Sequence, residues 1–156
     1  MNIAQRIHDL GIVLPRPPSP IANFVTAKIH GDLLFLSGQG PLNADGKLYV
    51  GKVGVDVSLD EAYQHARLTG LNLLSVAQDT LGSLDRVAAV IKVLGLVNAD
   101  SQFIDHPKVI NGCSDLFVSV FGEEVGRGAR SSLGMGSLPG NQTVEIEAIF
   151  AIKSLD

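Results

Sequence analysis

The run Val87-Ala-Ala-Val-Ile-Lys-Val-Leu-Gly-Leu-Val97 carries one charged residue, Lys92, and is rich in β-branched side chains. Successive side chains of a strand point to opposite faces, so a run that is apolar at both parities is a strand buried on both sides. Leu33-Leu-Phe-Leu-Ser37 has the same character. The rest of the chain offers only two long amphipathic helices to cover such strands. Two helices cover one face of a sheet, and the second face would lie open, which monomers rarely allow. Burial against copies of itself is the simplest solution, so the chain is expected to be an obligate homo-oligomer.

The first of these helices opens with Ser58-Leu-Asp-Glu61, a capping box, and runs to about Leu81 before Gly82. Ala62, Ala66, Thr69, Leu73, Val76, Ala77 and Thr80 recur along it at helical spacing. Asp105, with Pro107 in the first turn, starts the second, whose buried side is Ile110, Cys113, Phe117, Val120 and Phe121. Gly122 ends it, and Gly122–Gly128 reads as a loop. Ahead of both helices, Asn23–Ile29 and Leu33–Ser37 read as a hairpin turning at His30-Gly-Asp32, with a short extended piece around Leu48–Val50. Ile3, Ile7 and Leu10 form one stripe of a short N-terminal helix. Leu14-Pro-Arg-Pro-Pro-Ser-Pro20 then makes an extended arm, because proline continues neither a helix nor a central strand. The expected architecture is a single α+β domain, a mixed sheet with two helices packed on one face. Residues 1–20 supply the helix and arm, and 21–156 the domain proper.

With 156 residues and 18% charged, the chain can bury a substantial core. A net charge of -4 and a pI near 5.5, without a Lys/Arg cluster, argue against a nucleic-acid surface. The single cysteine, Cys113, rules out an intrachain disulfide framework, and a small buried hydrophobe is its expected role. His8, His30, His65 and His106 are scattered without ligand spacing, so no metal and no cofactor is assigned. No signal-like or membrane-spanning stretch is apparent, and a cytoplasmic location is expected.

The chemistry concentrates in Ala129-Arg-Ser-Ser-Leu-Gly-Met-Gly-Ser-Leu-Pro-Gly-Asn-Gln-Thr-Val-Glu-Ile-Glu-Ala-Ile-Phe150. It reads as two strands joined at Pro139-Gly140-Asn141. Arg130 and Ser132 share a face with Gly134 and Gly136; on the return strand Glu145 and Glu147 oppose Val144, Ile146, Ala148 and Phe150. An arginine over side-chain-free backbone suits a small carboxylate, which its planar fork grips through two charge-assisted hydrogen bonds. The bland alternative is an ion pair between Arg130 and Glu123 or Glu124. If Gly140-Asn141 is a hairpin loop, Glu145 lies opposite Gly136, roughly 20 Å along the strand from Arg130. No small substrate spans that, so a site using both would draw them from different subunits.

Leu36-Ser-Gly-Gln-Gly-Pro41, the Ser58–Leu81 helix, Val109-Ile-Asn111, and above all Arg130-Ser-Ser, Leu138-Pro139 and Val144-Glu-Ile-Glu-Ala148 resemble the RidA family, the YjgF-type enamine/imine deaminases. Older members carry translation-inhibitor or endoribonuclease labels. The resemblance covers residues 20–153 and implies a chorismate-mutase-like fold and a homotrimer with ligand clefts between subunits. It also implies hydrolysis of reactive 2-imino acids to 2-keto acids and ammonia. Carried over by position, Arg130 grips the substrate carboxylate, Glu145 places the attacking water, and Ser37, Gly38 and Gln39 line the cleft. Two positions depart from the family pattern: Phe24 stands where a tyrosine is usual, and Ser132 where a cysteine is frequent. The resemblance thus implies a metal-independent hydrolase of a divergent subgroup. The alternative is a non-catalytic trimer of the same fold that binds small carboxylates.

Overall fold

The computed structural model describes residues 2–154. The chain runs α1 (Ile3–Asp9), β1 (Ala27–His30), β2 (Leu33–Gln39), α2 (Leu59–Leu81), β3 (Val87–Asn98), α3 (His106–Phe121), α4 (Glu123–Gly126), β4 (Ala129–Met135) and β5 (Val144–Ile152). The strands form one mixed sheet in the order β1-β2-β5-β3-β4. β3 and β4 are parallel and the other neighbours antiparallel. Helices α2 and α3 pack on one face, where Leu34, Leu36, Val93, Val97, Val144, Ile146 and Phe150 are buried. The opposite face leaves Phe35 40% and Leu133 50% exposed, and Leu33, Leu94, Leu96 and Ile149 only partly covered. The unpartnered apolar face inferred from the doubly apolar strands is therefore present in the single chain.

The helices form for the reasons their sequences give. Ser58 accepts from the Glu61 amide and the Glu61 carboxylate accepts from the Ser58 amide, so two otherwise orphaned donors are satisfied reciprocally. Gly82 closes α2 at φ 79°, a left-handed conformation that glycine adopts without strain. The helices meet where α2 and α3 have no side chains to separate them: a Cβ on Gly112 would sit 2.0 Å from the Tyr63 carbonyl oxygen. Phe117 and Phe121 of α3 then reach Phe150 of β5 edge-on, at ring separations of 5.5 and 6.1 Å.

Several expectations change. Asp105 stands at the start of α3, but its side chain does not cap the helix; it pairs with Lys108 at 3.3 Å instead. Thr80 is exposed, whereas Asn72, Leu74 and Ser75, off the expected stripe, are buried. Asn72 is covered by the Gly40–Leu42 segment, to whose carbonyls it donates, and Ser75 by the proline arm, where its hydroxyl donates to the Pro15 carbonyl at 2.5 Å. β1 starts only at Ala27, and Leu48–Val50 makes isolated bridges rather than a strand. The Gly122–Gly128 loop contains the turn of helix α4.

The largest correction concerns the C-terminal pair of strands. β4 and β5 are not a hairpin: β3 lies between them, pairing with β4 on one side and β5 on the other. β5 buries Val144, Ile146, Ala148 and Phe150 to 3% exposure or less and so needs apolar neighbours on both edges. β4, with Arg130, Ser131, Ser132 and Gly134, cannot provide them and is tolerated at the edge. Gly140 and Asn141 do adopt left-handed backbone, at φ 63° and 59°, but the turn they make carries the chain past the end of β3.

Candidate functional site

The residues singled out in the sequence fall into two groups. At the β4 edge, Arg130 pairs across the ladder with Val93, and Ser132 with Gly95, so both point toward α3. The Arg130 guanidinium is half-buried and donates to Asn111 Oδ1 at 2.8 Å, Ser114 Oγ at 3.2 Å and, at 3.4 Å, the Pro107 carbonyl. Each of these acceptors is neutral. Arg130 has no carboxylate partner among the described residues, because Glu123 is taken by Arg127 at 2.6 Å. The result is a fixed cation without an ion-pair partner on the wall of a cavity of about 430 Å³ that Asn111, Ser114 and Gly128 also line, together with Asp115, which accepts from the Tyr63 hydroxyl, and the Arg127–Glu123 pair. Ser132 Oγ is buried without a hydrogen-bond partner. The glycine floor differs from the expectation: the space a Gly134 Cβ would fill holds the His106 imidazole, and only Gly136 is open.

The second group surrounds Glu145 at the start of β5. The register between β2 and β5 shifts between Leu36 and Gln39, a bulge that contains Ser37 and Gly38. It brings the Gly38 backbone against Glu145, whose Cγ, Cδ and Oε2 each lie 3.0 Å from where a Gly38 Cβ would stand. Gln39 is turned into the core. Ser37 donates to the Val25 carbonyl at 2.6 Å, tying the bulge to the segment that carries the partly exposed Phe24. Gln142 Nε2 donates to Glu145 Oε1 at 2.9 Å. Burial pushes the Glu145 carboxyl above the usual range; the Gln142 hydrogen bond opposes this, and the neighbouring Glu147 charge adds to it. A carboxyl so placed exchanges protons nearer neutrality than a free glutamate does.

Within one chain the groups cannot meet. Arg130 lies on the rung of Val93 and Ala148, and Glu145 on the rung of Leu96 and Leu133. Three rungs and two strand spacings separate them, about 10 Å in each direction. An odd number of rungs also puts them on opposite faces: Arg130 looks to the helices and Glu145 to the bare side. The expected hairpin and its roughly 20 Å separation along the strand are thus replaced by about 10 Å along and 10 Å across the sheet, with the two side chains on opposite faces.

Sequence reasoning left Asn111, Ser114 and Gln142 out of the site. Asn111 and Ser114 are three apart on α3, a spacing that sets two polar groups on one face of an otherwise apolar helix. That was the available signal. Gln142 had none, since its role depends on the bulge in β2. Cys113 is fully buried, and burial pushes its thiol up, away from reactivity.

The raised Glu145 carboxyl has a consequence for stability. A group whose folded pKa lies above its unfolded value of 4.5 contributes fully below that value, and the contribution is lost as pH rises through the folded pKa. At neutral pH the carboxylate therefore costs stability. Glu145→Gln is expected to melt at a higher temperature than wild type at pH 7, with the gap narrowing at pH 4. A lower melting temperature at pH 7 would show the carboxylate to be net stabilising.

Comparison with known proteins extends this picture. Residues 4–151 match the family described as "YjgF/chorismate_mutase-like, putative endoribonuclease". The chain is 39% identical to the Trypanosoma cruzi protein TCP17 over 153 residues, 98% of this chain and 96% of TCP17. The crystal structure of Atu1372, a protein of unknown function from Agrobacterium tumefaciens, is similar with a TM-score of 0.87 and 41% identity, over 97% of this chain and 94% of that one. Escherichia coli TdcF with bound serine shares the fold at a TM-score of 0.64 and 23% identity, over 89% and 94% of the two chains.

Proposed function

The chain belongs to the YjgF/chorismate mutase-like family, and from that premise we propose that it hydrolyses small reactive 2-imino acids in clefts between the subunits of a homotrimer. The observation that carries the reading is the Arg130 guanidinium, held by neutral acceptors with no ion-pair partner among the described residues. A half-buried cation of that kind favours an anionic ligand, and its fork matches a carboxylate. The serine in the TdcF structure, a small amino acid, is a ligand of the same kind.

In this reading Arg130 holds the substrate carboxylate while the enamine takes a proton from water at carbon, returns one from nitrogen and becomes the imine. Water then adds across the C=N bond, and the resulting aminoalcohol expels ammonia to leave the 2-keto acid. Glu145, with its carboxyl raised toward neutrality, takes the proton from water and returns it to the departing nitrogen. Ser37 and Gly38 shape the wall on the Glu145 side, next to Phe24, while Gln39 backs them from the core. Ser132, whose hydroxyl lacks a partner, supplies a donor on the Arg130 side.

Both halves can face one substrate only if a second copy brings its Glu145 to the first copy's Arg130. The open apolar face, with Phe35 and Leu133 exposed, supports such an assembly. No helix among the described residues is long and apolar enough to cross a membrane. The test pairs a native mass with ammonia release from 2-aminoacrylate generated in solution. Three chains and turnover are expected. Binding of 2-keto acids without ammonia release would instead favour the non-catalytic carboxylate binder.

A further inference from the structure

Gln142 is the last residue but one before β5 and is 7% exposed. Its backbone is pinned by the bridge to Val50 and by a bond to the Pro139 carbonyl at 3.2 Å. Its side chain threads a narrow gap. The carboxamide oxygen occupies the place of a Gly40 Cβ, 1.8 Å from that position, so any side chain at residue 40 would expel it. The carboxamide nitrogen, at the other end, donates to Glu145 Oε1 at 2.9 Å. The Gly40 segment is itself held from α2, where buried Asn72 donates from Nδ2 to the Gly40 carbonyl at 3.1 Å and the Leu42 carbonyl at 3.0 Å. Gly38 closes the other side of the Glu145 carboxylate. The carboxylate is thus clamped between a glycine backbone and one amide donor.

We propose that Gln142 is a positioning residue for Glu145, fixing the direction of its carboxylate and favouring its charged form. The proposal rests on the deaminase reading for its consequence in catalysis, although the clamp itself does not. A donor to a carboxylate stabilises the ionised state and offsets the cost of burial. The other groups facing Glu145 give it no such help. Glu147, two residues on along the same face of β5, repels its charge. Lys92 of β3 lies beside Glu147 rather than Glu145, and the β2 bulge brings only the uncharged Ser37 and Gly38. Within its own chain, Gln142 is the one neighbour that pulls toward ionisation.

Two variants test this. Gln142→Leu removes the donor, and the near-isosteric Gln142→Glu replaces it with a second carboxyl that must share a proton with Glu145. With a small 2-imino acid as substrate, kcat/KM on the acid limb is expected to fall about tenfold in Gln142→Leu and further in Gln142→Glu. In both the limb moves to higher pH, while KM on the plateau stays within about twofold because Arg130 carries binding. A carbon-13 NMR titration of the Glu145 carboxyl in the same proteins should move in step. A residue that merely supports the fold would lower activity at every pH and leave the limb in place. If Gln142→Leu turns over normally, with limb and carboxyl titration unmoved, the inference is wrong. If the wild type has no turnover, the deaminase reading fails, and the NMR titration alone decides on Gln142: a shift upholds the clamp and an unmoved carboxyl overturns it.

Discussion

Arg130→Ala is expected to cut kcat/KM for small imino acids by roughly a hundred- to ten-thousand-fold while the protein keeps its fold and assembly. The estimate takes two charge-assisted hydrogen bonds to the substrate carboxylate, at about 1.5–3 kcal/mol each. Structure should survive because Arg130 sits on an edge strand and its partners, Asn111, Ser114 and the Pro107 carbonyl, are neutral groups at the cavity wall. Losing the guanidinium leaves no buried charge behind. Lysine in its place keeps the charge and loses the fork, so Arg130→Lys should recover only part of the loss. The measurement is steady-state ammonia release, with native mass and circular dichroism as controls. A variant that works at the wild-type rate would remove Arg130 from the mechanism, and with it the main support for the proposed activity.

Gly112→Ala is expected to be the most damaging single methyl in the helical layer. The added Cβ would lie 2.0 Å from the Tyr63 carbonyl oxygen and 3.0 Å from the Arg67 amide nitrogen, and neither can swing away as a side-chain tip could. The helices must part, and Gly70, whose own Cβ would meet Leu116 and Cys113, marks the same line of close approach. Overpacking against backbone costs about 3 kcal/mol, which for a domain of this size lowers Tm by roughly 6–12 °C. Gly136→Ala, with nothing within 4 Å of the new methyl, is the matched control and should leave Tm unchanged. Equal melting temperatures for the two variants would mean that the helices can part at Gly112 without loss of packing.

These predictions draw on different amounts of sequence information. Arg130 is legible from its strand: a cation and a hydroxyl at one parity, followed by glycines, is not a core pattern. Gly112 is not legible, since one glycine within an apolar helix says nothing about the carbonyl it faces on another helix. Glu145 could be singled out by its place opposite Val144 and Ile146, but not its raised carboxyl, which comes from burial beside the β2 bulge and is only partly offset by the Gln142 hydrogen bond. The two hydrogen bonds that hold Arg130 from α3 side chains lie sixteen and nineteen residues away in sequence, beyond any local pattern.

Apart from the side chain of Asp105, which pairs with Lys108 instead of capping α3, local chemistry by itself determined the two long helices, the Ser58 capping box and Gly82 stop of α2, and the faces of the buried strands, because periodicity and capping act within a few residues. It also determined that one sheet face would be left uncovered, a count of apolar strand faces against available helices. Only the tertiary structure decided which strands are neighbours. The turn at Gly140-Asn141 is as tight as expected, yet β5 pairs with β3 and β2 rather than with β4. Strand order is settled by competition for the buried middle of the sheet, where the apolar face of β5 outbids the serines and glycines of β4. That choice put Arg130 and Glu145 on opposite faces of one chain, and so makes a second copy necessary for any site that uses both.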